Sequence, residues 1–299
     1  MKTVGIYGAG QMGAAAAVCF RRAGCGVILW ARNSRKHPAI RKTLAELDSF
    51  LVKHLGPANR RAAKIELTDD LAVLDDQAGL VMDCIAEDMA EKVKLFRRPR
   101  RPKAIFITTT SGLSITEMGR RSGVGRNLVG THFWNPPHLM PLVEVVRGRD
   151  TSEQAMKTVI SVMRAIGKIP VRVNLDVPGF IGNRLLHALW REAVNLVQRG
   201  IATPEDVDRV ARLTFGLRLP AVGPLENMDL VGLDLIQTIH KYLLADLADD
   251  HRPLPLLTQL VKNGRNFHNR SRAAMKALAG RRDRQIVHQL EYLRQTNAL

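Results

Sequence analysis

The chain has 299 residues, 45% hydrophobic and 24% charged, which is ordinary for a globular protein and long enough for a large core. Its net charge of +17 favours anionic partners, but the bases are scattered, aromatics make up only 5%, and no nucleic-acid motif accompanies them, so a basic solvated surface is the better reading than a nucleic-acid site. No run approaches a membrane span, and Cys19, Cys25 and Cys84 lack metal-ligand spacing; an odd count without a framework points to a reducing, cytoplasmic compartment.

In chain order, the apolar run Val4–Tyr7 leads at once into Gly8, Gly10 and Gly13, followed by the apolar stretch Ala14–Phe20. Strand, glycine turn and helix together form the G-x-G-x-x-G pattern of a dinucleotide site. Gly8 permits the tight turn, Gly10 lets the backbone approach a pyrophosphate, and Gly13 allows close helix–sheet packing. The helix start offers free N–H groups to phosphate. Gly26–Trp30 reads as the second strand, whose end faces the adenosine ribose. An acidic residue there would hold the 2′-hydroxyl. This chain instead has Ala31, then Arg32-Asn33-Ser34-Arg35-Lys36, which suits a 2′-phosphate and favours NADP over NAD. The same residues also read as ordinary surface bases.

Pro38–His54 reads as a helix stopped by Gly56-Pro57. Strands follow at Ile65–Leu67, Leu80–Ile85, Ala104–Thr108, Leu128–Phe133, Leu142–Val146 and Ile169–Val173. Helices are expected at Leu71–Asp76, Met89–Arg97, from Ser114-x-x-Glu117 onward, and at Thr151–Ile166, with a proline- and arginine-rich loop at Pro99–Pro102. Beyond Pro178 no convincing strand occurs. Gly179–Arg199 is apolar on most sides, so a buried helix is expected. Thr203-Pro204-Glu205-Asp206 has the form of a helix start, and Leu225–Ala248, Leu254–Lys262 and two terminal segments also read helical. The fold class is therefore α/β: a Rossmann-type doubly wound sheet over residues 1–176, then an all-α domain over 177–299 for substrate and dimerisation.

His132 and Glu144 lie equidistant from His138, in a stretch between two strands, so an out-and-back loop would bring them together. A carboxylate beside an imidazole fixes its tautomer and stabilises its charged form, which makes a general base near neutral pH. Taken alone, two such residues twelve apart also fit a structural histidine at a strand end, and residue type by itself favours that plainer reading.

Together and in order, several motifs resemble the 3-hydroxyacyl-CoA dehydrogenase family from Val4 to about Asp234. They are Gly8-Ala9-Gly10-Gln11-Met12-Gly13, Glu87 with Lys92, Ser111, His132-x-x-Asn135-Pro136, Leu142-Val143-Glu144-Val145, Asp176-Val177-Pro178-Gly179-Phe180-Ile181-Gly182-Asn183-Arg184, Gly223-Pro224-Leu225 and Asp229–Asp234. The resemblance implies an oxidoreductase of fatty acid metabolism that passes hydride between a 3-hydroxyacyl substrate and NAD(P). His132 would move the proton, and Glu144 would orient and stabilise the imidazolium. Ser111 and Asn183 would hold the substrate oxygen, with Asn135 nearby. Gly8, Gly10, Gln11, Met12 and Gly13 would hold the cofactor with Asn135 and, on its nicotinamide-ribose side, Glu87 and Lys92, and the reading of the second strand adds Arg32. The small-molecule enzyme would be a homodimer, without metal or membrane.

Four departures narrow this. Ala31-Arg32 replaces the acid usual in NAD-binding members, and Thr109 replaces an Asn. Trp134, Pro137 and His138 differ from typical fatty-acyl enzymes, and the late Lys-Thr-Gly-x-Gly-Phe-Tyr segment is absent. The His-x-x-Asn-Pro-Pro form is more similar to the branch acting on free hydroxy acids, which includes L-gulonate 3-dehydrogenase with its lens-crystallin relative and a pyridine-carboxylate dehydrogenase. A free sugar acid or pyridine carboxylate is thus the rival substrate class. A crystallin-like protein that binds cofactor without turnover is the rival of another kind, and the intact His132, Glu144, Ser111 and Asn183 argue against it.

Overall fold

The structure is a computed structural model that describes residues 3–58, 62–98 and 103–296. The chain divides into two compact units, Met1–Gly182 and Asn183–Leu299.

The first unit is built on one eight-stranded sheet in the order β3-β2-β1-β4-β5-β6-β7-β8. Its strands are β1 (Val4–Tyr7), β2 (Val27–Trp30), β3 (Ile65–Thr68), β4 (Leu80–Asp83), β5 (Ile105–Thr108), β6 (Leu128–Phe133), β7 (Leu142–Arg147) and β8 (Ile169–Val173). All neighbours pair in parallel except β6 and β7, which run antiparallel. Strands β1 and β4 are buried along their whole length, as a sheet covered on both faces requires. The covering helices are α1 (Gln11–Arg22), α2 (His37–Leu55), α3 (Leu71–Gln77), α4 (Met89–Phe96), α5 (Ile115–Ser122) and α6 (Glu153–Ala165). Helix α5 starts as its sequence predicts, with Ser114 Oγ accepting from the Glu117 N–H. The loop expected at Pro99–Pro102 lies outside the described residues.

The second unit is helical: α7 (Gly182–Gln198), α8 (Pro204–Leu213), the short α9 (Phe215–Arg218), α10 (Pro224–Val231), α11 (Leu233–Leu243), α12 (Pro255–Lys262) and α13 (Arg272–Gln295). Thr203 caps α8 by accepting from the Asp206 N–H, with Pro204 in the first turn. Three expectations change here. The single helix expected over Leu225–Ala248 is two, because Gly232 adopts φ +99 and breaks the ladder between α10 and α11. The terminal segments form one helix of 24 residues, α13, which runs through Gly280. Helix α7 is largely uncovered: Leu185 is 59% exposed, Leu189 44% and Trp190 50%. Seven helices around a small core cannot cover all of their own apolar faces, and in α7 only Val194 and Asn195 are buried.

Candidate active site

The antiparallel β6–β7 register pairs His132 directly with Glu144, so both side chains project from the same face of the sheet. His132 Nδ1 lies 2.7 Å from Glu144 Oε2, and the two residues are only 4% and 2% exposed. The other oxygen, Oε1, accepts from the backbone N–H groups of Ile181 at 2.9 Å and Gly182 at 3.0 Å. Burial raises the Glu144 carboxyl, but the bond from His132 and the two backbone N–H groups outweigh it and hold the group below its ordinary value. An ionised Glu144 only accepts, so Nδ1 carries the hydrogen and Nε2 is left with its lone pair. Among the described residues, Nε2 has no hydrogen-bond partner.

Two aromatic rings flank the imidazole: Trp134 at a centroid distance of 5.0 Å and Phe180 at 5.6 Å. Phe180 is buried with φ +51, a left-handed conformation that is uncommon for a bulky residue. That turn aims the next two N–H groups at Glu144. Gly182 is required for close approach, since a Cβ there would lie 2.2 Å from Trp134 Cζ2. Phe180 and Gly182 lie within the Pro178–Arg184 stretch that carries the family resemblance, but nothing in their residue types marks that turn as the one that holds Glu144. The β6–β7 connection, with Asn135 exposed in it, is anchored by buried Lys168. Its Nζ donates to Pro137 O at 2.7 Å and Met140 O at 2.8 Å, and burial lowers its ammonium below the ordinary lysine value.

At the other end of the sheet, Gly8 takes φ +102, and a Cβ at Gly13 would stand 1.8 Å from Gly8 O. A Cβ at Gly10 would meet nothing within 4 Å, and α1 has no side-chain cap. The turn therefore leaves open space at Gly10, at the head of α1, where an anionic ligand would meet the first N–H groups of the helix. Beside it, a cavity of about 310 Å³ is lined by the apolar Tyr7, Trp30, Leu71, Ile85 and Leu95 and by the charged Arg32, Glu91, Lys94 and Arg98. Asp75 braces this wall, accepting from the Tyr7 hydroxyl at 2.6 Å and from Arg98 Nη2 at 2.7 Å.

Between these two ends, Glu87 and Ser111 follow β4 and β5. Glu87 Oε1 accepts from the Ser111 N–H at 2.9 Å and from the Thr110 hydroxyl. Lys92 is buried against Asp83, a partner that no local pattern in the sequence marks. Asn183 opens the second unit, directly after Gly182.

Matches to two protein-family models cover most of the chain: the 3-hydroxyacyl-CoA dehydrogenase NAD binding domain over residues 3–177 and the C-terminal domain of the same family over residues 179–276. The chain belongs to the 3-hydroxyacyl-CoA dehydrogenase family. It is therefore a member of an oxidoreductase family with a Rossmann-type NAD-binding domain and a helical C-terminal domain. Among relatives in this family, it is 31% identical to 5-formyl-3-hydroxy-2-methylpyridine 4-carboxylate 5-dehydrogenase of Mesorhizobium japonicum, over 96% of each chain. It is 35% identical to a probable 3-hydroxybutyryl-CoA dehydrogenase of Deinococcus radiodurans, over 87% of this chain and 94% of the relative. The crystal structure of a 5-formyl-3-hydroxy-2-methylpyridine 4-carboxylic acid 5-dehydrogenase, described as an NAD+-dependent dismutase, superposes with a TM-score of 0.92 at 30% identity, covering 98% of this chain and 99% of that one. Among the described residues, no helix is long and apolar enough to cross a membrane.

Proposed function

We propose that the protein is an NAD(P)-dependent dehydrogenase that interconverts an alcohol and its carbonyl form on a small free carboxylic acid. The end-to-end likeness to the pyridine-carboxylate dehydrogenases, at a TM-score of 0.92, carries this reading. Trp134, Pro137 and His138, which depart from fatty-acyl enzymes, support it. When bound, nicotinamide supplies the hydride donor or acceptor. The chain's own residues do the rest. His132 Nε2 takes the hydroxyl proton as the carbon is oxidised and returns it to the forming alkoxide in reduction. Glu144 keeps the ring in the competent tautomer and stabilises its protonated form. Ser111 and Asn183 hold the substrate oxygen, with Asn135 nearby.

Gly8 to Gly13 cradle the pyrophosphate, and Glu87 and Lys92 serve the nicotinamide side. The cavity beside Trp30 takes the adenosine. Arg32 in its lining, with no acid at the strand end, favours the 2′-phosphate of NADP. The exposed apolar side chains of the second unit, among them Trp190, Leu213, Leu225 and Leu230, are covered by a second copy of the chain. Sedimentation equilibrium of the wild type tests the dimer, and a monomer at micromolar concentration would exclude it.

The second reading is a 3-hydroxyacyl-CoA substrate, favoured by the 35% identity to the Deinococcus radiodurans relative. A matrix of NADH and NADPH against acetoacetyl-CoA, acetoacetate, keto sugar acids and pyridine carboxylates separates the two. Turnover confined to free acids supports the first reading, and turnover of the thioester alone replaces it with the second. Tight cofactor binding without turnover of either class points to the crystallin-like alternative.

A further inference from the structure

The carboxyl ends of β4 and β5 hold a charged cluster whose deepest member, Asp83, the hydride-transfer scheme leaves without a task. Asp83, the last residue of β4, is 0% exposed, and Lys92, on α4, is 1% exposed. Lys92 Nζ lies 2.8 Å from Asp83 Oδ2. The same oxygen accepts from the Thr108 hydroxyl of β5 at 2.9 Å, and Oδ1 accepts from the Ile85 N–H at 3.0 Å. An ion pair this deep adds little stability over a well-packed apolar pair, because each ion loses its hydration. What it does supply is direction, since the ammonium can sit only where its acceptors are.

Those acceptors lead toward the site. Lys92 Nζ is also 3.5 Å from Glu87 Oε2, while Glu87 Oε1 receives the Thr110 hydroxyl and, at 2.9 Å, the Ser111 N–H. A continuous line of contacts therefore runs from Asp83 through Lys92 and Glu87 to the backbone of Ser111, joining the turn after β4 to the turn after β5. The Thr109 hydroxyl adds a second tie across the same gap, donating to Asp83 O at 2.8 Å.

We propose that Asp83 is a positioning residue for Ser111: it fixes the Lys92 ammonium, which in turn holds the Glu87 carboxylate square to the Thr110–Ser111 turn. Its value to catalysis rests on the reading above, in which Ser111 meets the substrate oxygen. Its effect on the Ser111 backbone does not. Without the Asp83 charge, Glu87 is the remaining carboxylate that the buried ammonium reaches among the described residues. It draws Oε2 inward and rotates Oε1 away from the Ser111 N–H.

The deciding experiment follows the Ser111 amide by NMR in labelled protein without cofactor or substrate, in a cycle of Asp83→Asn, Glu87→Gln and the double variant. Asp83→Asn is expected to move the Ser111 amide resonance and speed its hydrogen exchange by roughly tenfold, the worth of one hydrogen bond to a charged acceptor. In the Glu87→Gln background the same substitution is expected to change exchange by less than about twofold, because the relay is already cut. An unmoved Ser111 amide in Asp83→Asn overturns the proposal, and so do equal effects in both backgrounds, which a merely structural Asp83 would give. If Asp83→Asn does not fold, the pair Asp83→Leu with Lys92→Met buries no charge and removes the hold on Glu87 altogether, so faster exchange at Ser111 is again expected. In turnover, Asp83→Asn is expected to lower kcat by about ten- to a hundredfold, as slight misplacement of an orienting group does. A wild type without turnover would remove the dehydrogenase reading, while the amide cycle would still decide the role of Asp83.

Discussion

The two buried acid–base pairs of the first unit, Asp83–Lys92 and His132–Glu144, differ in what they leave over. Asp83 accepts three hydrogen bonds, from Lys92, Thr108 and Ile85, and Lys92 reaches on to Glu87. Nothing in that cluster faces outward as a reactive atom. Burial raises the Asp83 carboxyl against the pull of the Lys92 charge, and the pair ties the end of β4 to α4. In the second pair, Glu144 is fully engaged by His132, Ile181 and Gly182, yet one imidazole nitrogen remains without a partner among the described residues. A saturated carboxylate beside an unsaturated base is the arrangement that the proposed proton transfer needs, and the Asp83–Lys92 pair offers no such atom.

The sharpest way to break this contrast is His132→Ala. Removing the free nitrogen is expected to lower kcat by about 10²- to 10⁴-fold, the usual worth of general acid–base catalysis, with cofactor binding retained. Steady-state rates and fluorescence titration with reduced cofactor check both halves. Retained turnover would return His132 to a structural role. A smaller effect is expected at the far end of the sheet, where Arg32→Asp removes the cation and supplies the acid that accepts a 2′-hydroxyl. Loss of one charge-assisted hydrogen bond, about 1.5–3 kcal/mol, corresponds to about a ten- to hundredfold weaker NADPH complex. Preference should pass to NADH, and a wild type that already prefers NADH would show that Arg32 is an ordinary surface base.

Local patterns made much of this legible. The strands were readable as apolar runs and the glycine turn as a fixed spacing, because both depend on neighbours in sequence. The facing of His132 and Glu144 was readable too, since both are equidistant from His138 and an antiparallel pair preserves that symmetry. The brace at Asp83 was hidden inside an expected strand, where a lone acid gives no sign of a lysine one helix later. The N–H groups that fix Glu144 come from 37 and 38 residues away and depend on the left-handed turn at Phe180, which no pattern of residue types announces. In α7, an apolar sequence predicts burial, but apolarity sets only that a surface seeks cover and leaves open where the cover comes from.

The smallest expected effect concerns stability and separates the pairs by pH. The folded-state pKa of Glu144 lies below its unfolded value, which is about 4.3 for a model glutamate. The unfolded chain therefore binds the proton first, and the hydrogen bonds of Glu144 contribute stability that is present above about pH 4.3 and lost as pH falls through the folded value. Glu144→Gln keeps the shape but has no charge to titrate. The difference in unfolding free energy between wild type and variant should thus be largest near pH 6 and shrink as the solution is taken toward pH 3. Glu117, Glu153 and Glu205 are also held low by their partners Arg120, Arg172 and His268, but they are present in both proteins and cancel in the difference. Urea denaturation at stepped pH measures that difference. A gap independent of pH would mean that Glu144 is held by shape alone, and that its charge does nothing for the histidine beside it.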